Sequence, residues 1–170
     1  MRNNTRGLFI HIFVGIIIFL MAFIINLSKA LRSIIYGNIV FRIIISLVPI
    51  LLYYNFSKVM SKKKNPKLDY LSGNLIVLFA LVLFVPGFLF TGKNFFSLAI
   101  ASKAIKFPFE IFLLPQIYVI KVLNIPYNLL SLILATLAPT LIYGISIRIS
   151  REKIKNKQRL NRNLRKKHEK

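Results

Sequence analysis

Apolar runs of about 20 residues recur along this chain, at 8–27, 34–54, 73–90 and 127–147, each long enough to cross the roughly 30 Å hydrocarbon layer of a bilayer as a helix. A soluble domain of 170 residues has one core to fill and no use for so many such runs. In lipid every backbone polar group needs a partner within the chain, so runs of this kind fold as helices. The expected fold class is all-α: a polytopic transmembrane helical bundle over 1–147, followed by a basic cytoplasmic tail over 148–170. A hydrophobic share of 56% agrees with this and excludes disorder, collagen and coiled coil. With no cysteine, a disulfide scaffold is impossible.

The first run follows Arg2 and Arg6, as the hydrophobic part of a secretory signal would. It exceeds the roughly 7–15 residues of such a signal and passes into Ser28-Lys29-Ala30-Leu31-Arg32 without an A-x-A cleavage pattern, so it reads as a retained span. The second run carries Arg42 and Pro49 and ends in Tyr53 and Tyr54, residues suited to the headgroup interface. Asp69, just before the third run, reads as a helix N-cap or first-turn residue. In the last run Thr136, Thr140 and Gly144 sit four apart, with Ser131 and Ala135 as a neighbouring pair. Small residues at this spacing let another helix approach, and so predict a packing face toward a protein partner or a second copy in a homo-oligomer. Pro49, Pro86 and Pro139 lie within spans, where neighbouring helices can satisfy the freed carbonyls. Asn26, Asn38 and Ser46 read as hydrogen bonders between helices.

Charge sets the orientation. The chain has 25 Lys and Arg against 4 Asp and Glu, a formal net charge of +21. Lys58, Lys62, Lys63, Lys64 and Lys67 separate the second run from the third, and 11 Lys and Arg lie in 148–170. The positive-inside rule assigns both clusters to the cytoplasm together with Arg2 and Arg6, leaving 18 basic residues inside, 6 outside and Arg42 in the membrane. The chain is therefore expected in the cell membrane as a multi-pass protein with cytoplasmic N- and C-termini. Two cytoplasmic clusters require an even number of crossings between them, so segment 95–123 should not cross once.

That segment has two readings. Lys103 and Lys106 form a polar stripe with Ser102 and Glu110 on an otherwise apolar helix face, and Pro108 is expected to interrupt the helix there. Each half falls short of the hydrocarbon thickness, which favours a Pro-broken hairpin on the outer side, interfacial or re-entrant; a re-entrant one predicts a cavity. The alternative is two short tilted spans, six crossings in all.

Chemistry-bearing residues are few: Asp69, Glu110, Glu152 and Glu169, with His11 and His168. No metal-ligand spacing, nucleophile motif, phosphate loop or paired-carboxylate motif occurs, so no catalytic, cofactor-binding or metal residue is assigned. A carboxylate at membrane depth needs a partner or a proton. Arg42 falls in the outer half beside Glu110, making Arg42 and Glu110 a candidate intramembrane polar pair; a local Lys106–Glu110 pair is the plainer alternative. His11 reads as a hydrogen-bonded interfacial residue near the cytoplasmic headgroups. Lys62, Lys63, Lys64, Arg159, Arg162, Arg165, Lys166 and Lys167 are candidates for docking an anionic leaflet, where each basic residue contributes about 1 kcal/mol, or an acidic partner. The tail has no aromatic residue to stack on bases, which disfavours nucleic acid.

These features point to a non-enzymatic integral membrane protein, a small membrane-embedded subunit of a transport system or of an envelope scaffold complex. A self-assembling, holin-like pore is the alternative. A membrane enzyme using Glu110 or His11 is the third class.

Overall fold

The computed structural model describes residues 2–60, 66–96 and 100–168. Among them the chain is helical with no strand: α1 (Arg2–Leu27), α2 (Lys29–Gly37), α3 (Ile39–Ser57), α4 (Asn74–Thr91), α5 (Ile100–Phe112), α6 (Leu114–Val122) and α7 (Leu129–His168). Two 3₁₀ segments, Pro66–Gly73 and Gly92–Phe96, flank α4. Among the described residues four stretches are long and apolar enough to cross a membrane: Asn3–Leu27, Ile39–Ser57, Asp69–Phe96 and Leu129–Arg162. Their outward faces carry Phe13, Phe23, Leu51, Leu81, Phe90 and Leu134, all more than half exposed, as lipid contact requires. The molecule is an all-α membrane bundle.

Several boundaries differ from the sequence reading, each for a local reason. The second run is two helices rather than one. Asn38 adopts an extended conformation between α2 and α3 and its side-chain oxygen accepts the amide of Val40, so it is an N-cap, not a bond between helices. Asn26 donates to the Ala22 carbonyl and Ser46 to the Arg42 carbonyl, each within its own helix. Pro108 does not interrupt α5, which runs through it; the break comes at Leu113, with Pro115 in the first turn of α6 where a missing amide costs least. The last span does not stop at 147, since α7 continues as one helix of 40 residues.

α5 and α6 form the expected broken hairpin. Their 13 and 9 residues rise about 20 and 14 Å, too little for either to cross alone. α5 descends against α4, the chain turns at Leu113 beside α1, and α6 climbs back between α1, α3 and α7. α6 is almost wholly buried, from Pro115 through Val122.

At the other end, Pro66–Gly73 lies across α7. Asp69 lies in the first turn of this 3₁₀ segment, as one of its two expected positions had it, and not at the N-cap of α4, which is Gly73; its carboxylate is buried and pairs with Arg151 of α7 at 2.8 Å. The tail is thereby tied to the loop before α4, and the small-residue stripe is largely spoken for within the chain. Gly144 is covered by the Tyr70 ring, and a Cβ on Gly73 would lie 2.9 Å from the Thr140 Cα. The Tyr143 hydroxyl donates to the Gly7 carbonyl at 2.9 Å and the Ser146 hydroxyl to the Tyr54 carbonyl at 2.8 Å. The starts of α1 and α4, the end of α3 and residues 140–151 of α7 thus share one end of the bundle, here called the basic end.

Candidate functional site

The hairpin turn meets a buried string of polar groups. His11, on α1, is 1% exposed and sits inside the bundle, not at its edge. Its Nε2 lies 2.8 Å from the Phe112 carbonyl and its Nδ1 2.7 Å from the Tyr53 hydroxyl. Gln116, in the first turn of α6, donates from Nε2 to the same hydroxyl at 3.0 Å. Tyr53 is 2% exposed and meets Tyr143 edge to face, so it is a core residue while Tyr54, stacked under Lys58, keeps the surface position expected of both.

The network has a direction. A carbonyl only accepts, so His11 donates from Nε2 and, as the neutral imidazole that burial without a carboxylate demands, accepts at Nδ1. Tyr53 then donates its only proton to His11, which obliges the Gln116 amide to turn its nitrogen toward Tyr53. The Gln116 side-chain oxygen is left buried and without a hydrogen-bond partner among the described residues. Nothing in the spacing of residues 11, 53, 112 and 116 announces this assembly; the signal available was polar groups in otherwise apolar runs.

Beside Gln116 a cleft of about 400 Å³ opens between α3, α6 and α7. Pro49, Ile50, Ile120, Leu134, Ala138 and Ile142 form its apolar walls, with Tyr53 and Gln116 on its lining. Asn128 and Ser131 complete it, but these two are engaged with each other through the first turn of α7, the Asn128 side chain accepting the Ser131 amide at 2.9 Å. The exposed Ile50, Leu130 and Leu134 place its mouth on the lipid-facing side. The Ser131–Ala135 pair expected to receive another helix instead lines this space.

The expected Arg42–Glu110 pair is not formed. Glu110 stands between Lys106 and Lys121, at 3.8 Å from each, which realises the plainer Lys106–Glu110 alternative with a second lysine added. Lys106 is 4% exposed, donates to the Phe95 carbonyl at 3.4 Å and lies over the Tyr127 ring. Arg42 caps the end of α6: its Nε donates to the Val122 carbonyl, and Nη2 reaches the Asn124 side-chain oxygen at 2.9 Å in the amide orientation that also bonds Lys121. Asn124 takes a left-handed conformation with φ of 55°, and the Ile125 amide closes back on the Ile120 carbonyl, the usual way for a helix to end before proline. A cation at that terminus also complements the helix dipole.

Arg159, Arg162 and Arg165 are exposed on the outer part of α7. Lys62, Lys63 and Lys64 lie outside the described residues, as do the side chains of Lys103, Lys166 and Lys167. Among the described residues no group of three or more His, Cys, Asp or Glu could hold a metal ion. Comparison with protein families, with curated proteins and with solved structures gives no match for this chain.

Proposed function

We propose that the chain is a non-enzymatic, membrane-embedded subunit that captures a small ligand from the bilayer and works with a partner, as the binding component of a transport system. One observation carries the reading: a broken hairpin that turns inside the bundle beside an apolar cleft. Broken helices at membrane depth are tolerated where they are buried or line a cavity, and transport proteins place their substrate sites at such breaks. A pocket of a few hundred Å³ with few convergent polar groups is also what small-molecule binding favours. The basic end, with the exposed arginines of α7, supplies a charged face for an acidic soluble partner, and on this reading it faces the cytoplasm of a cell-membrane protein. The pore reading has less support, because the small-residue stripe is occupied by Tyr70 and Gly73 of the same chain.

The test is gentle purification of the tagged full chain at native expression level, with mass and identity of everything that comes with it. A stoichiometric ATPase or membrane partner is expected. A pure homo-oligomer that leaks ions would replace this reading with the pore, and a lone monomer would remove the subunit from it.

A further inference from the structure

We infer that the groove between the start of α1 and the end of α3 binds a phospholipid of net negative headgroup, with the phosphate on Arg6 and an acyl chain laid along Phe9, Phe13 and Phe56. The inference stands apart from the binding-subunit reading, since it concerns the basic end and not the cleft beside the hairpin. Three features set the ligand class.

The first is position. A groove of about 390 Å³ runs along α1 from Arg6 past Phe9 to Phe13, with Phe56 and Val59 on its other side. Phe9, Phe13 and Val59 are each more than half exposed, so the groove opens on the outside of the bundle, where lipid lies. Seven residues separate Arg6 from Phe13, about 10 Å of helix, and the Phe13 and Phe56 rings meet edge to face at 5.3 Å to close the inner end. Tyr54, stacked under Lys58 on the turn of α3 beside Phe56, marks the headgroup level. Arg6 therefore stands among headgroups and the groove below it lies in hydrocarbon. Its volume equals that of about a dozen waters at roughly 30 Å³ each, room for a glycerol phosphate and the first part of one chain.

The second is charge. Arg6 is exposed, and its bond among the described residues is from Nη1 to the Val59 carbonyl at a long 3.4 Å. The edge formed by Nε and Nη2 remains open, and a planar fork of this kind matches a phosphate. No carboxylate lines the groove. A guanidinium above apolar walls complements a phosphate joined to an acyl chain; a soluble anion would leave the walls bare, and an uncharged lipid would leave the guanidinium bare. The third is the surrounding field. Among the described residues the basic end carries Arg6, Lys58, Arg148 and Arg151 against Asp69 and Glu152, and both carboxylates are paired, with Arg151 and Arg148. A zwitterionic headgroup brings its ammonium into this positive field, and a net negative one does not.

Other grooves lack the decisive charge. No Lys, Arg, Asp or Glu lines the cleft beside Gln116 or the grooves of about 510 and 240 Å³.

The test uses the full chain in phosphatidylcholine nanodiscs and two photoprobes with the same diazirine-bearing acyl chain, one a phosphatidylglycerol and one a phosphatidylcholine, with labelled residues located by peptide mass spectrometry. The glycerol probe is expected at Phe9, Phe13 and Phe56 in preference to Leu78 and Leu81, exposed residues at like depth on α4. It should label the groove about fivefold more than the choline probe, the weight of one basic residue at an anionic surface. Arg6→Gln should bring the two probes to equal labelling, whereas Arg148→Gln, which removes a charge of the same end outside the groove, should keep the preference. Soluble glycerol phosphate should not displace the label. Equal labelling by the two probes in the unmodified chain would overturn the inference, as would label no stronger in the groove than on α4. A preference that survives Arg6→Gln would assign it to the overall charge of the chain, and displacement by glycerol phosphate would replace the phospholipid with a free phosphate ester; either result overturns the site.

Discussion

At the basic end, backbones meet where glycines leave no room for a side chain, whereas toward the hairpin the same helices part around about 400 Å³ of space. A Cβ on Gly7 would lie 2.5 Å from the Ser72 carbonyl oxygen, and α7 is fixed there by the buried Asp69–Arg151 pair. Around the cleft, α6 opens at Pro115 while α3 and α7 run on through Pro49 and Pro139, and a polar string from Phe112 through His11 and Tyr53 to Gln116 joins them. Close backbone contact and the buried ion pair are concentrated at one end of the fold and open space at the other, the division that the proposed binding function would require.

The largest effect that would break this contrast is at Arg151. Arg151→Met leaves the 2%-exposed Asp69 carboxylate without its partner and is expected to cost about 3 kcal/mol, roughly 6–12 °C in the detergent melting temperature. Arg148→Ala breaks an exposed pair with Glu152 and an exposed hydrogen bond to Tyr70, and should change the melting temperature by less than about 2 °C; equal losses for the two would show that the buried pair does not anchor the end. Next comes Gly7→Ala, expected to cost about 2 kcal/mol because the clash is with backbone that cannot rotate away. Gly37→Ala meets nothing within 4 Å and should be neutral or slightly stabilising by thermal melting. Tyr53→Phe, which strips His11 Nδ1 and the Gln116 nitrogen of their shared partner, is expected to cost about 1–2 kcal/mol by thermal melting. A stability loss from Tyr53→Phe larger than that from Arg151→Met would reverse the assignment of the rigid end. Smallest of all, Tyr36→Phe removes a 3.4 Å contact to the Tyr118 hydroxyl and should shift the melting temperature by about 1 °C.

The four spans and the broken hairpin were legible because apolar length and helix rise are local properties of a run of residues. The Lys106–Glu110 pair was legible too, being one turn apart in a single helix. What the sequence hid joins distant positions: Asp69 to Arg151 across 82 residues, His11 to Phe112 across 101. Such pairs depend on how the helices are arranged around one another, which apolar periodicity leaves open. Arg42 shows the difference in kind. Its place as a lone charge in an apolar run was readable, but α3 starts at Ile39 and so puts it in the first turn, and its partner is the backbone of α6, a carbonyl that leaves no mark in a sequence. The position of the hairpin break was misjudged between two prolines, Pro108 and Pro115, because a proline can lie within a helix or open one, and packing decides.

α7 belongs to both ends at once. Its 40 residues make a rod about 60 Å long, in which the cleft wall from Ser131 to Ile142 and the exposed arginines beyond Arg151 are one continuous piece. Between Thr140 and Arg151 the rod is clamped by Gly7, Tyr54, Asp69, Tyr70 and Gly73, while Pro139, just beyond the clamp, lacks one helix hydrogen bond. A lateral force on the arginine arm is therefore taken up at the clamp, and the cleft wall is insulated from it.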